Sequence, residues 1–359
     1  MCHFDKGFQM QFSRKKTRAV SVRGVQIGAG APVVIQSMTN TAPSDIDGTL
    51  AQIDALINVG CRVVRMAVPD LQSIQYFKTV RQQTSVPLVA DIHFDYRIAI
   101  AAIEAGADKI RINPGNIGSR DRVQAVVDAA GSAGIPIRIG VNSGSLEKKL
   151  HEKHGGSTPQ ALLESALGYI KMFEEMGFGD VVLSIKASNV QTTIGACRLL
   201  AEHTDVPQHI GITESGTVRT GSIRSAVGIG TLLAEGIGDT IRVSLAGDPV
   251  EEIPVAKEIL KALGLACGPV VVACPTCGRT QIAVAELAGK VEQIVAPVEK
   301  NIKIAVMGCV VNGPGEARDA DIGIAGGKHE GLLFVRGEPV KKVPESELLV
   351  EFKKLLDTL

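Results

Sequence analysis

Tryptophan is absent from this 359-residue chain, aromatic residues make up only 3% of it, and its formal net charge is zero. A protein with so few rings to stack on bases and no excess of positive charge is poorly equipped to hold nucleic acid. No apolar run approaches the roughly 20 residues that a membrane-spanning helix needs. The stretch from Met1 to Lys16 is polar and charged, without the apolar centre of a secretory signal. The chain has seven cysteines, an odd number, which together with the missing signal points to a reducing, cytoplasmic setting and not to a disulfide framework. What is present is ordinary for a soluble globular protein: 45% hydrophobic residues and enough length for a large core and two domains. Cys2, Cys61, Cys197 and Cys267 stand apart from any motif and read as buried or incidental thiols.

The other three cysteines fall near the C-terminus in a pattern that carries chemistry. Cys274-Pro275-Thr276-Cys277-Gly278 puts two thiols on one tight turn, and Met307-Gly308-Cys309 adds a third, 32 positions after Cys277. Three thiols are one short of the four that usually hold an iron–sulfur cluster. Glu316 follows Cys309 by seven residues, beyond Asn312-Gly313-Pro314-Gly315. A hard carboxylate is a weak partner for an iron that prefers sulfur. Glu316 is therefore expected to be an exchangeable fourth ligand, which leaves one iron open for chemistry. Zinc is the rival occupant, but structural zinc sites mostly use four cysteines or a cysteine–histidine mixture.

From about residue 33 to 263 the chain alternates β-rich runs with helical patterns. Eight strands are expected: Val33–Ser37, Arg62–Ala67, Leu88–Ile92, Lys109–Asn113, Ile137–Asn142, Val181–Lys186, His209–Glu214 and Thr240–Leu245. Helical stretches between them include Ile46–Asn58, Arg97–Ala105, Arg122–Ala133, Pro159–Met176 and Val218–Ala234. Strands alternating with helices imply a parallel sheet, and eight units in this length fit a (β/α)8 TIM-type barrel. An open doubly wound sheet is the alternative, but no G-x-G-x-x-G follows the first strand. Val20–Ile27 reads as a hairpin that plugs the barrel floor.

The strand ends are polar in a regular way. Positions i and i+2 of a strand share a face, so Asp91 and His93, Arg111 and Asn113, Ser184 and Lys186, and Arg242 and Ser244 are expected to point at the barrel axis. Arg138 and Asn142 on the fifth strand do the same, and Arg65 joins them. All sit toward C-terminal strand ends, where barrel enzymes keep their active sites. Arg65, Arg111, Arg138, Lys186 and Arg242 would surround one mouth, with Asp91, Glu214 and Asp248 as the available carboxylates. That excess calls for an anion, and guanidinium groups grip phosphate oxygens two at a time; five cations suit a diphosphate. His93 beside Asp91 could donate a proton or be a satisfied structural histidine. His151 and His154 have metal-like spacing but sit among Glu152, Lys153 and glycines, so a solvated turn is expected there. Gly115–Gly118 and Gly228-Ile229-Gly230 are weak phosphate-loop signals that ordinary turns explain equally well.

The last third reads as a separate α+β unit, with strands Val270–Ala273, Lys303–Val306, Asp321–Ala325 and Leu332–Val335 and helices Gln281–Val295 and Ser346–Leu356. The domains are expected at 1–264, binding the substrate, and 265–359, holding an iron–sulfur cluster. Together the halves suggest reductive removal of an oxygen from a phosphorylated small molecule.

At Gln36-Ser37-Met38-Thr39, Ala90-Asp91-Ile92-His93-Phe94, Arg111-Ile112-Asn113-Pro114-Gly115-Asn116, Cys274-Pro275-Thr276-Cys277-Gly278-Arg279 and Met307 to Glu316 the chain resembles the 4-hydroxy-3-methylbut-2-enyl diphosphate synthase family of the non-mevalonate isoprenoid pathway. The likeness runs over nearly the whole chain. It implies a [4Fe-4S] cluster, electrons from flavodoxin or ferredoxin, and conversion of 2-C-methyl-D-erythritol 2,4-cyclodiphosphate to (E)-4-hydroxy-3-methylbut-2-enyl diphosphate. It implies Glu214 as the acid–base group of the barrel, and the end of strand seven agrees with that. The short join at Gly264–Pro269 matches the two-domain bacterial type. The alternatives from other classes are a pterin- or folate-type barrel transferase with a structural zinc domain, and a non-catalytic metal-dependent binding protein. Because helix eight of a barrel ends at the floor and the join is short, a head-to-tail homodimer is expected, in which one chain's cluster serves its partner's mouth.

Overall fold

The computed structural model describes residues 13–309 and 318–359. Glu316 and Cys2 lie outside the described residues. The chain divides into two compact units, the second beginning at Cys267.

The first unit opens with a two-stranded antiparallel hairpin, β1 (Val20–Val22) and β2 (Val25–Ile27), turned at Arg23 and Gly24 with positive φ. Eight parallel strands follow: β3 (Val34–Met38), β4 (Val63–Ala67), β5 (Leu88–Asp91), β6 (Lys109–Ile112), β7 (Ile137–Asn142), β8 (Val181–Lys186), β9 (His209–Ile210) and β10 (Thr240–Ile241). They pair in the order β8-β7-β6-β5-β4-β3-β10-β9. A parallel bridge from Leu183 to Gln208, with the Leu183 N–H donating to the Pro207 carbonyl at 2.9 Å, brings β8 to the start of β9 and closes the barrel.

Local chemistry starts the helices where the chain needs them. Asp45 accepts from Gly48 N ahead of the helix Ile46–Asn58, Thr158 from Ala161 N ahead of Pro159–Glu175, and Asn189 from Thr192 N ahead of Val190–His203. The outward strand residues, such as Val64, Leu88, Ile110, Ile139 and Leu183, are fully buried against the helices. The opposite face is different in kind. Val34, Val63, Val89 and Val182 form a small apolar layer with Val20, Val22 and Ile27 of the hairpin. The hairpin thus seals one end of the barrel with valine and isoleucine, and the polar inward residues lie beyond that seal.

The seventh and eighth strands are shorter than expected. Past Ile241 one further ladder bond, from the Arg242 N–H to the Ile210 carbonyl at 3.1 Å, gives way to side-chain partners: the Leu245 N–H donates to Glu252 Oε1 at 3.2 Å and the Ser215 hydroxyl to the Ser244 carbonyl. These backbone groups, which would extend the eighth strand, are taken, so the chain turns into the site.

The second unit is a five-stranded mixed sheet in the order β11 (Val270–Ala273), β12 (Lys303–Met307), β13 (Ile322–Gly327), β14 (Glu330–Val335) and β15 (Glu338–Pro344). The first three are parallel and the last three antiparallel. Helices Val284–Val295 and Leu348–Leu356 bury Val291, Leu348 and Phe352 against Ile304, Ile322 and Ile324. β15 was not anticipated. It is an exposed edge strand with Pro339, Lys341, Lys342 and Pro344, the residues that keep an edge from recruiting another strand, and they disguise its period.

Candidate active site

Inward positions follow strand parity. β4 presents Val63 and then Arg65, β5 Val89 and Asp91, β6 Lys109 and Arg111, and β8 Val182, Ser184 and Lys186. Arg65, Arg111, Arg138, Asn142, Ser184, Lys186, Arg242 and Ser244 all line one cavity, joined by Gly140 and Thr213, which the sequence reading passed over. Both omissions have a signal. Gly140 lies midway between Arg138 and Asn142, and a Cβ there would meet the Arg111 guanidinium at 3.0 Å. Gly211, two residues before Thr213, leaves room for Lys186, whose Nζ would lie 3.0 Å from an added Cβ. Small residues at inward positions make space for long cations.

Asp91 is the buried acid of the mouth. Its Oδ1 lies 3.1 Å from Arg111 Nη1, and its Oδ2 lies 3.7 Å from Arg65 Nε and 3.5 Å from His93 Nε2. Burial alone would raise its pKa, but Arg65, His93, Arg111 and Arg138 together hold it well below the usual carboxylate range. His93 is half exposed. Asn113 is elsewhere employed. Its Nδ2 donates to Ser145 Oγ at 2.9 Å and its Oδ1 accepts from Gly115 N at 3.0 Å, so it braces the loop beside the cavity and is not among its lining residues.

Of the other carboxylates expected there, Asp248 accepts from the Val250 N–H at 2.9 Å and caps the short turn Pro249–Glu251. Glu214 is exposed, with φ +53°. It neighbours the lining residue Thr213. The acid that in fact reaches the cavity wall is Glu252, 2% exposed, whose Oε1 is 3.0 Å from Arg242 Nη2 and whose Oε2 accepts from Ser37 Oγ at 2.7 Å.

The run Gln36-Ser37-Met38-Thr39 acquires a physical meaning here. Gln36 Oε1 faces Lys109 Nζ at 3.5 Å, Ser37 steadies Glu252, and Met38 Sδ lies 2.9 Å from Arg65 Nη2 and 3.7 Å from Arg242 Nη1. The Thr39 N–H donates to the Arg65 carbonyl at 3.0 Å. One strand end thus braces the cations of its neighbours. Even so, Arg111 Nε and both Nε and Nη1 of Arg138 are buried without a hydrogen-bond partner among the described residues. Buried donors are ordinarily satisfied, and donors left over on a wall of positive charge suit an oxyanion.

Elsewhere His154 Nε2 pairs with Glu164 Oε2 at 2.8 Å, and Lys153 pairs with the same carboxylate. His151 is exposed, as expected of a solvated turn. Burial pushes the Cys61 thiol up to about 11 and the Cys197 thiol up to about 12, so both are inert packing groups. Cys267 departs from the expectation of an incidental thiol: it is disulfide-bonded.

In the second unit, β11 and β12 run in parallel with Ala273 opposite Val306, so Cys274 and Cys309 emerge at the same end of adjacent strands. The Gly308 N–H donates to Cys274 Sγ at 3.0 Å. The turn carrying Cys277 is pinned from both sides: Cys277 N donates to Thr280 Oγ1 and Thr280 N to the Cys277 carbonyl, each at 3.0 Å. The backbone N–H of Arg279 holds the Cys277 thiol below its ordinary range. Among the described residues no three His, Cys, Asp or Glu side chains converge on a single ion. Soft thiols at one sheet end, one of them accepting an amide hydrogen bond, suit an iron–sulfur cluster, whose sulfur ligands each bind a different iron.

Residues 17–257 match the model of the GcpE TIM-barrel domain, and residues 270–358 that of the GcpE protein C-terminal domain. The chain belongs to the GcpE family. Two relatives with the name 4-hydroxy-3-methylbut-2-en-1-yl diphosphate synthase (flavodoxin) come from Natranaerobius thermophilus and Clostridium perfringens. The first is 56% identical over 96% of this chain and 97% of its own. The second is 56% identical over 97% of this chain and 100% of its own. GcpE membership leaves the pterin- or folate-type transferase reading without support. Among solved structures, an N-acetylneuraminic acid synthetase from Leptospira borgpetersenii matches with a TM-score of 0.50 at 11% identity, over 77% of this chain and 96% of that one, a likeness of fold alone. No helix among the described residues is long and apolar enough to cross a membrane.

Proposed function

We propose that this protein is a cytoplasmic oxidoreductase that opens 2-C-methyl-D-erythritol 2,4-cyclodiphosphate reductively to (E)-4-hydroxy-3-methylbut-2-enyl diphosphate. The observation that carries the reading is the cavity whose Arg111 and Arg138 retain unpartnered buried N–H groups. The names of the relatives supply the diphosphate product and the flavodoxin. In the overall change one ring C–O bond to phosphate breaks, a hydroxyl leaves as water, and two electrons from flavodoxin or ferredoxin balance the step together with protons.

Arg65, Arg111, Arg138, Lys186 and Arg242 would hold the diphosphate, with Asn142, Ser184 and Ser244 donating or accepting around it. Charge-assisted contacts of this kind are about twice as strong as neutral ones. Asp91 keeps Arg65 and Arg111 aimed and orients His93 as a proton source. Glu214 is assigned as the acid–base group, and Asn113 as a support for the rim. Cys274, Cys277 and Cys309, with Glu316 as the exchangeable fourth ligand, would hold a [4Fe-4S] cluster, which supplies electrons one at a time. We assign 1–264 to substrate binding and 265–359 to the cluster.

The assembly proposed is a head-to-tail homodimer in which the cluster unit of one chain serves the partner's barrel. The chain's last barrel helix, Glu252–Ala262, begins on the cavity side, where Glu252 meets Arg242, and runs away from it. Subunit exchange between Arg111→Ala and Cys309→Ser proteins should restore activity, and no recovery despite proven exchange would contradict it. The function itself is tested by anaerobic turnover with reduced flavodoxin. The account expects the linear diphosphate, with two electrons consumed per product. Cyclodiphosphate recovered intact, or opened without electron consumption, would overturn it.

A further inference from the structure

Below the cavity the barrel holds ionisable groups that the reaction above does not use. Lys109 lies one inward position below Arg111, about 7 Å along the strand, and is fully buried. Among the described residues its acceptor is the neutral amide of Gln36, at 3.5 Å, whose own Nε2 has no partner there. His209, also buried, places Nε2 3.4 Å from Lys186 Nζ and Nδ1 3.3 Å from Thr240 Oγ1.

The charged groups around Lys109 are overwhelmingly of one sign. Arg138 on β7 and Arg65 on β4 act on it directly, the neutral His209 ring of β9 lies within its field, and Arg111, Lys186 and Arg242 line the cavity above. Asp91 on β5 and Glu252 behind Arg242 are the opposing charges, and both are engaged by arginines. β3 contributes the neutral Gln36, and the hairpin below contributes apolar Val20, Val22 and Ile27. Two further buried acids lie at strand beginnings and are occupied there. Asp108 is held by Arg81 and the Leu88 N–H, with Arg23 3.9 Å away; Asp239 is held by Arg14 and the Gln208 N–H. Among the described residues, the column thus sets six lysines and arginines against two carboxylates.

We propose that Lys109 is a proton-accepting residue beneath the substrate site, neutral while no anion fills the cavity and charged once a diphosphate binds, so that substrate binding carries a proton into the protein. This rests on the cavity being the diphosphate site. Burial first, and then Arg138 and Arg65, push the Lys109 ammonium down to about 7. Lys186 and His209 are pushed down in the same way. Lys186 has cavity oxygens to meet and the neutral His209 ring to donate to. Lys109 has neither, so its charge state answers to the field alone. One negative charge beyond the Arg111 level, on the order of 10 Å from the amine, at an effective dielectric of about 20 shifts a protonation constant roughly fifteen-fold, and the ligand brings two. Lys109 is a positioning and charge-balancing group, not one that touches substrate.

The ligand makes the test clean. Each phosphorus of a cyclic diphosphate carries one strongly acidic hydroxyl, so the compound is a dianion throughout the neutral range and has no proton of its own to exchange. Oxidised holoenzyme without an electron donor does not turn over, and binding is measured by calorimetry at pH 8 in two amine buffers of different ionisation heat. Wild-type protein is expected to take up close to one proton, with affinity falling about tenfold per pH unit above 7. Lys109→Met, or Lys109→Gln if the first variant folds poorly, is expected to bind with no comparable uptake. Binding by wild type without proton uptake overturns the proposal and leaves the diphosphate reading standing, as does full uptake retained in the Lys109 variants. Absence of binding in any buffer overturns both.

Discussion

Glu252 Oε1 lies 3.0 Å from Arg242 Nη2 and its Oε2 lies 3.1 Å from Arg242 Nε, so the carboxylate grips the guanidinium in a two-pronged pair while Ser37 holds it from behind. Glu252 opens the last barrel helix, and its partner stands just past the last barrel strand. Removing one member of a buried pair leaves an uncompensated charge and costs about 3–5 kcal/mol. Glu252→Ala is therefore expected to lower the denaturant midpoint markedly and to weaken substrate binding about tenfold by freeing Arg242. An unchanged midpoint would show that the pair contributes nothing.

Met38 separates two of the cavity cations without neutralising either, because a thioether is a weak, uncharged acceptor. Met38→Leu keeps the shape and should change substrate affinity by less than about threefold. Met38→Glu places a carboxylate between Arg65 and Arg242, and should weaken binding about tenfold to a hundredfold while leaving the fold intact. Titration of both variants decides this; equal affinities would remove Met38 from the account.

Lys109 makes the unliganded protein's stability depend on pH. The unfolded lysine titrates near 10.4, the folded one at about 7. Between these values the unfolded chain binds the additional proton, so stability rises with pH across that window, and below about 7 the penalty is at its full, constant size. Lys109→Met should exceed wild type in stability most at pH 6–7, with the gap closing as pH approaches 10. Denaturant unfolding across that range checks it, and a gap that does not narrow would contradict the burial of a neutral amine.

Much of the barrel site could be read from the chain because strand parity is strict. Arg65, Arg111, Arg138, Lys186 and Arg242 share the inward face by simple alternation, and the structure gathers them around one cavity. What could not be read depends on contacts far apart in sequence. Met38 meets Arg242 across 204 positions and Ser37 meets Glu252 across 215, and no local pattern marks such pairs. Glu252 looks like any acidic residue in a first helical turn. Asn113 shares the parity of the site residues, but an Asx-type cap on Gly115 claims its side chain. β10 ends early because the Ser215 and Glu252 side chains take the Ser244 carbonyl and the Leu245 N–H that a longer strand would use.

The proposed function divides the labour: the barrel binds the diphosphate and the cysteine-bearing unit binds iron. Measuring iron content and cyclodiphosphate affinity on the same preparations of Arg111→Ala, Lys186→Ala and Cys309→Ser tests it most directly. The two barrel variants are expected to keep their iron and lose about tenfold to a hundredfold in affinity, whereas Cys309→Ser should lose iron and keep its affinity to within about tenfold. Full iron and sulfide in Cys309→Ser, or unchanged affinity in both barrel variants, would contradict it.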